Sequence, residues 1–298
     1  LVWLDLQSPV DEEIAGLVQR YNLHPLVGEE LRRFPSLPKI QAYKDYMVVV
    51  LNIPVRTKQK GVYKIVDQEV DFVIGKTFLI TSREETIEQL EYFSKIFEAN
   101  AILNRGEKIE HAGHLFYYMV KRMYAGMFAD LENIRDALLD AENHVFSGDE
   151  RRMVEVLSGV SRELIDFRQA ARIHQDVWEG MLKHTDKDFF NADFFEFIRD
   201  LRDQFNRIHE LVVNSRELLA DLRETNDSLL NTKQNDIIRT LTIINFVFVP
   251  ATFIAALFTI PASFVPLVSH ESGWVIILTG MVLMTGAIWF YIKRKGWI

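Results

Sequence analysis

The sequence predicts an α+β soluble part followed by long helices and two membrane-crossing helices. Three observations predict it. Strand-like β-branched runs are confined to the first hundred or so residues. No Pro or Gly interrupts the chain between Phe189 and Val249. Two uncharged stretches, Thr240–Ser269 and Ser272–Ile292, are separated only by His270 and Glu271, and each exceeds the roughly 20 apolar residues a helix needs to cross a bilayer. The net charge of −8 averages a highly charged soluble region with a nearly neutral tail.

Residues 1–105 form the α/β domain. Val2-Trp3-Leu4-Asp5-Leu6 is strand-like, and Asp11–Tyr21 follows Pro9 as a short helix. Tyr46–Ile53, Val62–Ile74 and Thr77–Thr81 are further strands. Pro25, Pro35, Pro38 and Pro54 fall between elements as breakers. Thr81-Ser82-Arg83-Glu84-Glu85 is expected to cap a helix running towards Asn100.

Residues 106–188 read as an antiparallel helical pair. His111 to about His144 is one helix, Ser147-Gly148-Asp149 a turn, and Glu150 to about Lys183 the second helix. Residues 189–239 then read as a stalk. Phe194, Leu201, Ile208, Leu222 and Leu229 follow a seven-residue series with Ser215 in its gap; Ile198, Phe205, Val212 and Leu219 follow a second. These are d and a positions of a coiled coil, which favours self-association. The alternative is a stripe packing on the subunit's own helical pair. One continuous helix from about Phe189 to about Phe258 would be roughly 100 Å long.

The first crossing spans 240–261, the outer loop 262–273 and the second crossing 274–292, with a basic end at 293–298. Arg239 and Lys293-Arg294-Lys295 flank the crossings, whereas the loop carries no Lys or Arg. The positive-inside rule places both termini in the cytoplasm of a cell inner (plasma) membrane. Trp274, Trp289, Tyr291 and Trp297 suit the interfaces.

One face of the first crossing carries Asn235, Ile238, Leu241 (or Thr242), Asn245, Val249, Thr252 and Ala256 at three- and four-residue steps. Around a shared axis, its apolar rungs would gate by dewetting and its polar rungs would offer oxygens to a hydrated cation. The same spacing also suits a helix–helix contact in which Asn and Thr hydrogen-bond across the interface. Pro250 permits a kink inside this crossing.

Asn235-Asp236-Ile237-Ile238-Arg239-Thr240-Leu241-Thr242-Ile243-Ile244, then Phe248-Val249-Pro250-Ala251-Thr252-Phe253-Ile254-Ala255, resemble the CorA family of divalent-cation channels. So do the Trp3-Leu4-Asp5-Leu6 start and the basic, Trp-containing end Lys293–Ile298. The resemblance implies a funnel-shaped homopentamer embedded in the lipid bilayer, with Asn235, Ile238, Leu241, Val249 and Thr252 as pore rungs. It also implies regulatory cation-binding carboxylates between cytoplasmic domains, which fall on Glu88, Asp200 and Asp203. The family places Gly-Met-Asn at the outer end of the first crossing, and the matching residues here are Thr259-Ile260-Pro261. Proline offers no side-chain oxygen to a hydrated Mg²⁺.

Two alternatives follow. Imidazole suits Zn²⁺ better than Mg²⁺, so His270 and Glu271 would serve a zinc-type relative. A membrane scaffold or sensor that has lost conduction is the other. No enzyme is expected. There is no cysteine nucleophile and no GxxxxGK[ST] stretch, and His111 and His114 stand three apart on a helix without a third ligand. No covalent cofactor is implied; the ion, of the Mg²⁺ or Zn²⁺ class, is cargo or regulator. The acidic balance disfavours nucleic acid as a partner.

Overall fold

A computed structural model describes residues 1–32, 34, 38–103, 111–184, 192–257 and 273–295. The chain divides into two compact units, Leu1–Glu224 and Thr225–Ile298.

The first unit is built on a five-stranded sheet. Its strands are β1 (Val2–Gln7), β2 (Lys39–Ala42), β3 (Tyr46–Gln59), β4 (Val62–Gly75) and β5 (Phe78–Arg83), in the order β1-β5-β4-β3-β2. Only β1 and β5 run parallel. Lys60 and Gly61, both at positive φ, turn β3 into β4. That hairpin register puts Val48 opposite Val73 and Val50 opposite Asp71. Side chains alternate across a strand, so each face is set by every second residue.

One face packs on α1 (Asp11–Arg20) and α2 (Pro25–Glu30). Ile14, Leu23, Val27 and Leu31 bury there against Tyr46, Val48, Val73 and Ile80. Glu13 accepts from the Val10 N–H at 3.0 Å, and Asp11, Glu12 and Glu13 place negative charge in the first turn of α1. Pro25 opens α2, whose N-cap is the His24 ring.

The opposite face packs on α4 (Ala112–Ser147) and α5 (Glu150–Ala171). There Phe72 meets Phe116 edge-on at 5.0 Å. Gly148 ends α4 at φ 103, a left-handed cap that glycine adopts without strain. The expected second helix is two: it breaks after Ala171, and α6 (His174–His184) follows. The break seats His174 in the core. Its Nε2 donates to the Asn52 carbonyl at 2.8 Å, and its Nδ1 accepts from the Tyr124 hydroxyl at 2.9 Å. That hydroxyl in turn accepts from Trp178 Nε1 at 2.8 Å. Burial pushes the His174 pKa down to about 4, so the ring is neutral in the fold.

Two further expectations change. Pro54 lies inside β3 rather than beyond it. It is tolerated because β2 pairs only with Met47–Val50, so β3 is an edge at Pro54 and needs no outward N–H. Thr81 and Ser82 belong to β5, and the helix they were expected to cap, α3 (Glu88–Leu103), starts five residues later, after Arg83.

The helix α7 runs from Ala192 to Leu257 without interruption, through Pro250. In the first unit its two heptad series are covered by the chain itself. Phe194, Ile198, Leu201, Phe205, Ile208, Val212, Leu219 and Leu222 are all at most 5% exposed. Phe205 stacks on His174 with ring centres 5.2 Å apart and lies tilted against Tyr124 at 6.0 Å. Arg223 Nη2 reaches the Leu157 carbonyl. The stripe therefore packs on the subunit's own helices from Phe194 to Leu222, and the expected self-association seam is not available there. Each such side chain contributes roughly 1.5–3 kcal/mol by burial.

The second unit holds the end of α7 and α8 (Gly273–Arg294). Both have apolar windows of membrane length, with mean hydropathy 2.0 and 2.1, and those windows are 0% and 6% buried. A soluble core helix would be mostly buried. Phe246, Phe248, Phe253, Leu283 and Phe290 are instead open, an apolar surface of the kind that marks contact with a membrane or another protein.

Candidate functional site

On the membrane part of α7, half-buried and exposed residues sort by helical face. Ile243, Val247, Pro250, Ala251 and Ile254 are half-buried and share one stripe. On α8 the less exposed stripe is Gly273, Ile277, Met281, Thr285, Ile288 and Ile292. The two meet where Ala251 shares a groove of about 510 Å³ with Ile277, Met281 and Thr285. Ile238, Leu241, Asn245, Val249, Thr252 and Ala256 are all exposed. At 100° per residue they centre about 180° from the half-buried stripe. Asn235, one turn earlier, is exposed as well.

The sequence-predicted rungs thus share one face, turned away from α8. Thr242, the alternative to Leu241, is half-buried. The chemistry of the polar rungs follows from their hydrogen bonds. Thr252 Oγ1 donates to the Phe248 carbonyl at 2.9 Å, one turn back. Its proton is spent inside the helix, so the oxygen presents lone pairs outward. Thr242 does the same towards Ile238 at 2.8 Å. Pro250 has no N–H for the carbonyl four residues before it, Phe246, yet the helix continues through it.

Thr259, Ile260, Pro261, His270 and Glu271 lie outside the described residues.

The three carboxylates assigned to regulation occupy separate settings in the first unit. Glu88 is the exposed first residue of α3. Asp200, on α7, is partly committed. Its Oδ2 accepts from the Tyr117 hydroxyl at 2.7 Å and from Gln204, and Lys121 stands 3.8 Å away. The Tyr117 hydroxyl accepts from Lys121, and this bond raises the Lys121 pKa above the lysine value. Asp203 is exposed and paired with its neighbour Arg202 at 3.0 Å. Among the described residues of one protomer, no three His, Asp or Glu side chains converge into a metal centre. His111 and His114 do not form one either. His111 caps α4 by accepting from the Gly113 N–H, and His114 packs on Phe197 at 5.0 Å.

Sequence reasoning passed over two buried polar centres. One is His174 with Tyr124 and Trp178. The other is Asp71 on β4, 1% exposed. Burial raises the Asp71 pKa well above its ordinary value, with the nearby Glu69 carboxyl adding to the effect. The available signal was the alternation Asp67, Glu69, Asp71 leading into the core residue Val73.

A family profile described as CorA-like Mg²⁺ transporter protein matches residues 1–294. The chain belongs to the CorA-like Mg²⁺ transporter family. Within this family, it is 22% identical over 307 aligned positions to the cobalt/magnesium transport protein CorA of Thermotoga maritima, covering 100% of this chain and 86% of that protein. It is 24% identical over 298 positions to the putative metal ion transporter YfjQ of Bacillus subtilis, covering 99% and 89%. The CorA fold is shared with the complete structure of the CorA magnesium transporter from Methanocaldococcus jannaschii, at TM-score 0.83 and 20% identity over 99% of this chain and 91% of that one. The full-length CmaX protein superposes with TM-score 0.70 at 18% identity, over 98% and 87%. The chain is thus a member of a family of CorA-like divalent-cation transporters, and it carries two apolar helices of membrane length.

Proposed function

We propose that the chain is one subunit of a passive divalent-cation channel, a homopentamer whose pore is lined by the membrane part of α7. The observation that carries this is the face of Ile238, Leu241, Asn245, Val249 and Thr252. It is exposed in the protomer and opposite the side that α8 covers. Around a five-fold axis, Asn235, Asn245 and Thr252 would meet the hydrated ion, and Ile238, Leu241 and Val249 would be dewettable constrictions. Both termini would be cytoplasmic in the inner membrane, since Lys293, Arg294 and Lys295 follow the second apolar helix.

The driving force needs no chemistry from the protein. A divalent ion gains about 4.6 kcal/mol per 100 mV on inward passage. With Thr259-Ile260-Pro261 where the family's amide ring stands, no side chain at Pro261 offers an oxygen to the ion's water shell. Selectivity among divalent ions would then rest on the inner rungs and be relaxed. Glu88, Asp200 and Asp203 would act across subunit boundaries, because no protomer gathers them alone.

Purified full-length protein in potential-clamped liposomes tests this. Uptake of Mg²⁺, Co²⁺ and Zn²⁺ that scales with potential, well above Na⁺ uptake, is expected. An intact oligomer that passes none of these ions would overturn the reading.

A further inference from the structure

The sheet face that holds the α1/α2 core changes character one rung beyond Val73 and Ile80. The next residues on that face are Asp71 of β4, with Val50 of β3 on one side and Ser82 of β5 on the other. Glu69 follows, opposite Asn52. From above, Glu30 at the end of α2 binds Lys39 Nζ at 2.7 Å and Gln41 Nε2 at 3.2 Å. Lys39 and Gln41 come from β2, beside Val50 and Val48.

Several side-chain oxygens on this strip are buried without a donor. Both Asp71 carboxylate oxygens, Ser82 Oγ, Glu30 Oε2 and Asn52 Oδ1 are buried without a hydrogen-bond partner. Ser82 is 0% exposed and faces Asp71 across the register, where paired Cβ atoms lie roughly 4.5–5.5 Å apart. Glu69 lies two residues before Asp71 on the same face of β4, and its negative charge adds to the rise of the Asp71 pKa. Native folds pair buried acceptors, because each one left unsatisfied costs about 1–3 kcal/mol. The cation on β2, Lys39, is already bound to Glu30. A strip of buried oxygens that, among the described residues, have no hydrogen-bond donor is matched by a hard cation.

We propose that Asp71, Glu69 and the Ser82 hydroxyl form a binding site for a partly hydrated divalent cation of the Mg²⁺ class within each protomer. Mg²⁺ keeps several waters and is commonly held by one or two carboxylates. That fits a strip where the Asp71 and Glu69 carboxyls share a face with the Ser82 hydroxyl. Glu30 Oε2 and Asn52 Oδ1 would accept from the ion's waters. Such an ion would tie β4 to β5 beneath α2. The site is separate from the α7 face and does not depend on conduction.

The test counts bound Mn²⁺ per protomer by equilibrium dialysis of the full-length oligomer, for the wild type, Asp71→Asn and Ser82→Ala. The wild type should hold one more Mn²⁺ per protomer than Asp71→Asn, displaceable by Mg²⁺. Ser82→Ala should weaken that site about tenfold, and it remains informative if Asp71→Asn fails to fold. The thermal midpoint of the wild type should rise with Mg²⁺, and this rise should shrink in either variant. Equal Mn²⁺ counts in wild type and variants, or a midpoint that follows pH but ignores Mg²⁺, overturn the site. Liposome flux, measured in parallel, separates the two proposals: conduction without the additional Mn²⁺ sinks this one alone.

Discussion

Acidification should destabilise the first unit through a single buried ring. His174 is 0% exposed, its two nitrogens are committed to Asn52 and Tyr124, and its pKa lies at about 4 against 6.5 in a model imidazole. Between these values the unfolded chain takes up a proton that the native chain does not. The stabilisation is therefore complete above about pH 6.5 and is lost as pH falls towards 4. The gap of about 2.5 units corresponds to about 3 kcal/mol at 1.36 kcal/mol per unit. Full burial means that solvent screening removes little of it. Urea unfolding in detergent, followed by far-ultraviolet circular dichroism between about pH 7 and pH 4.5, measures the slope. Carboxylates titrate in the same window, so the informative quantity is the difference from His174→Gln. That variant should be less stable at neutral pH, because Tyr124 and the Asn52 carbonyl lose their partner, and its slope should be lower by close to one proton. Identical slopes in the two proteins would refute the assignment of a neutral, buried His174.

Three further outcomes follow from the geometry. Arg56 Nε lies 2.7 Å from Glu163 in a pair whose side chains are 10% and 8% exposed, so Arg56→Ala should cost about 3–5 kcal/mol in a denaturant titration; a loss below about 1 kcal/mol would mean the pair is solvated. A Cβ on Gly113 would run into the Phe194 ring, so Gly113→Ala should lose about 1–3 kcal/mol, and Phe194→Leu should restore part of that loss in the double variant; additive losses would contradict the clash. Val249→Asn should wet the proposed constriction and raise resting liposome flux above the wild type, whereas unchanged flux would place that rung away from the limiting barrier.

Much of the fold is legible because its signals are local. The β-branched runs of β3 and β4, the left-handed Gly148 and the two uncharged stretches need no knowledge of the rest of the molecule. What escapes is tertiary. Pro54 is a breaker by propensity, but β2 is too short to require its missing N–H. The heptads of α7 announce a helical partner without saying whose helix it is, and the structure supplies the chain's own. The break after Ala171 carries no Pro or Gly and is stabilised by contacts of His174 with elements far away in sequence. For the site, three- and four-residue steps define the Val249–Thr252 face, because a helix converts spacing directly into direction. Asp71 was hidden because a charged residue in a strand is ordinarily solvated, whereas here it is 1% exposed within the sheet.

The chain has no cysteine, so a single introduced thiol reports on one position alone. Each of Val249, Thr252, Val247 and Ile254 is replaced by Cys, and divalent flux is followed before and after a membrane-impermeant, charged thiol reagent. Block at Val249→Cys and Thr252→Cys, with Val247→Cys and Ile254→Cys unaffected, is the predicted pattern for ions passing along the face of α7 opposite α8. Block confined to Val247→Cys and Ile254→Cys, with the other two insensitive, would contradict it.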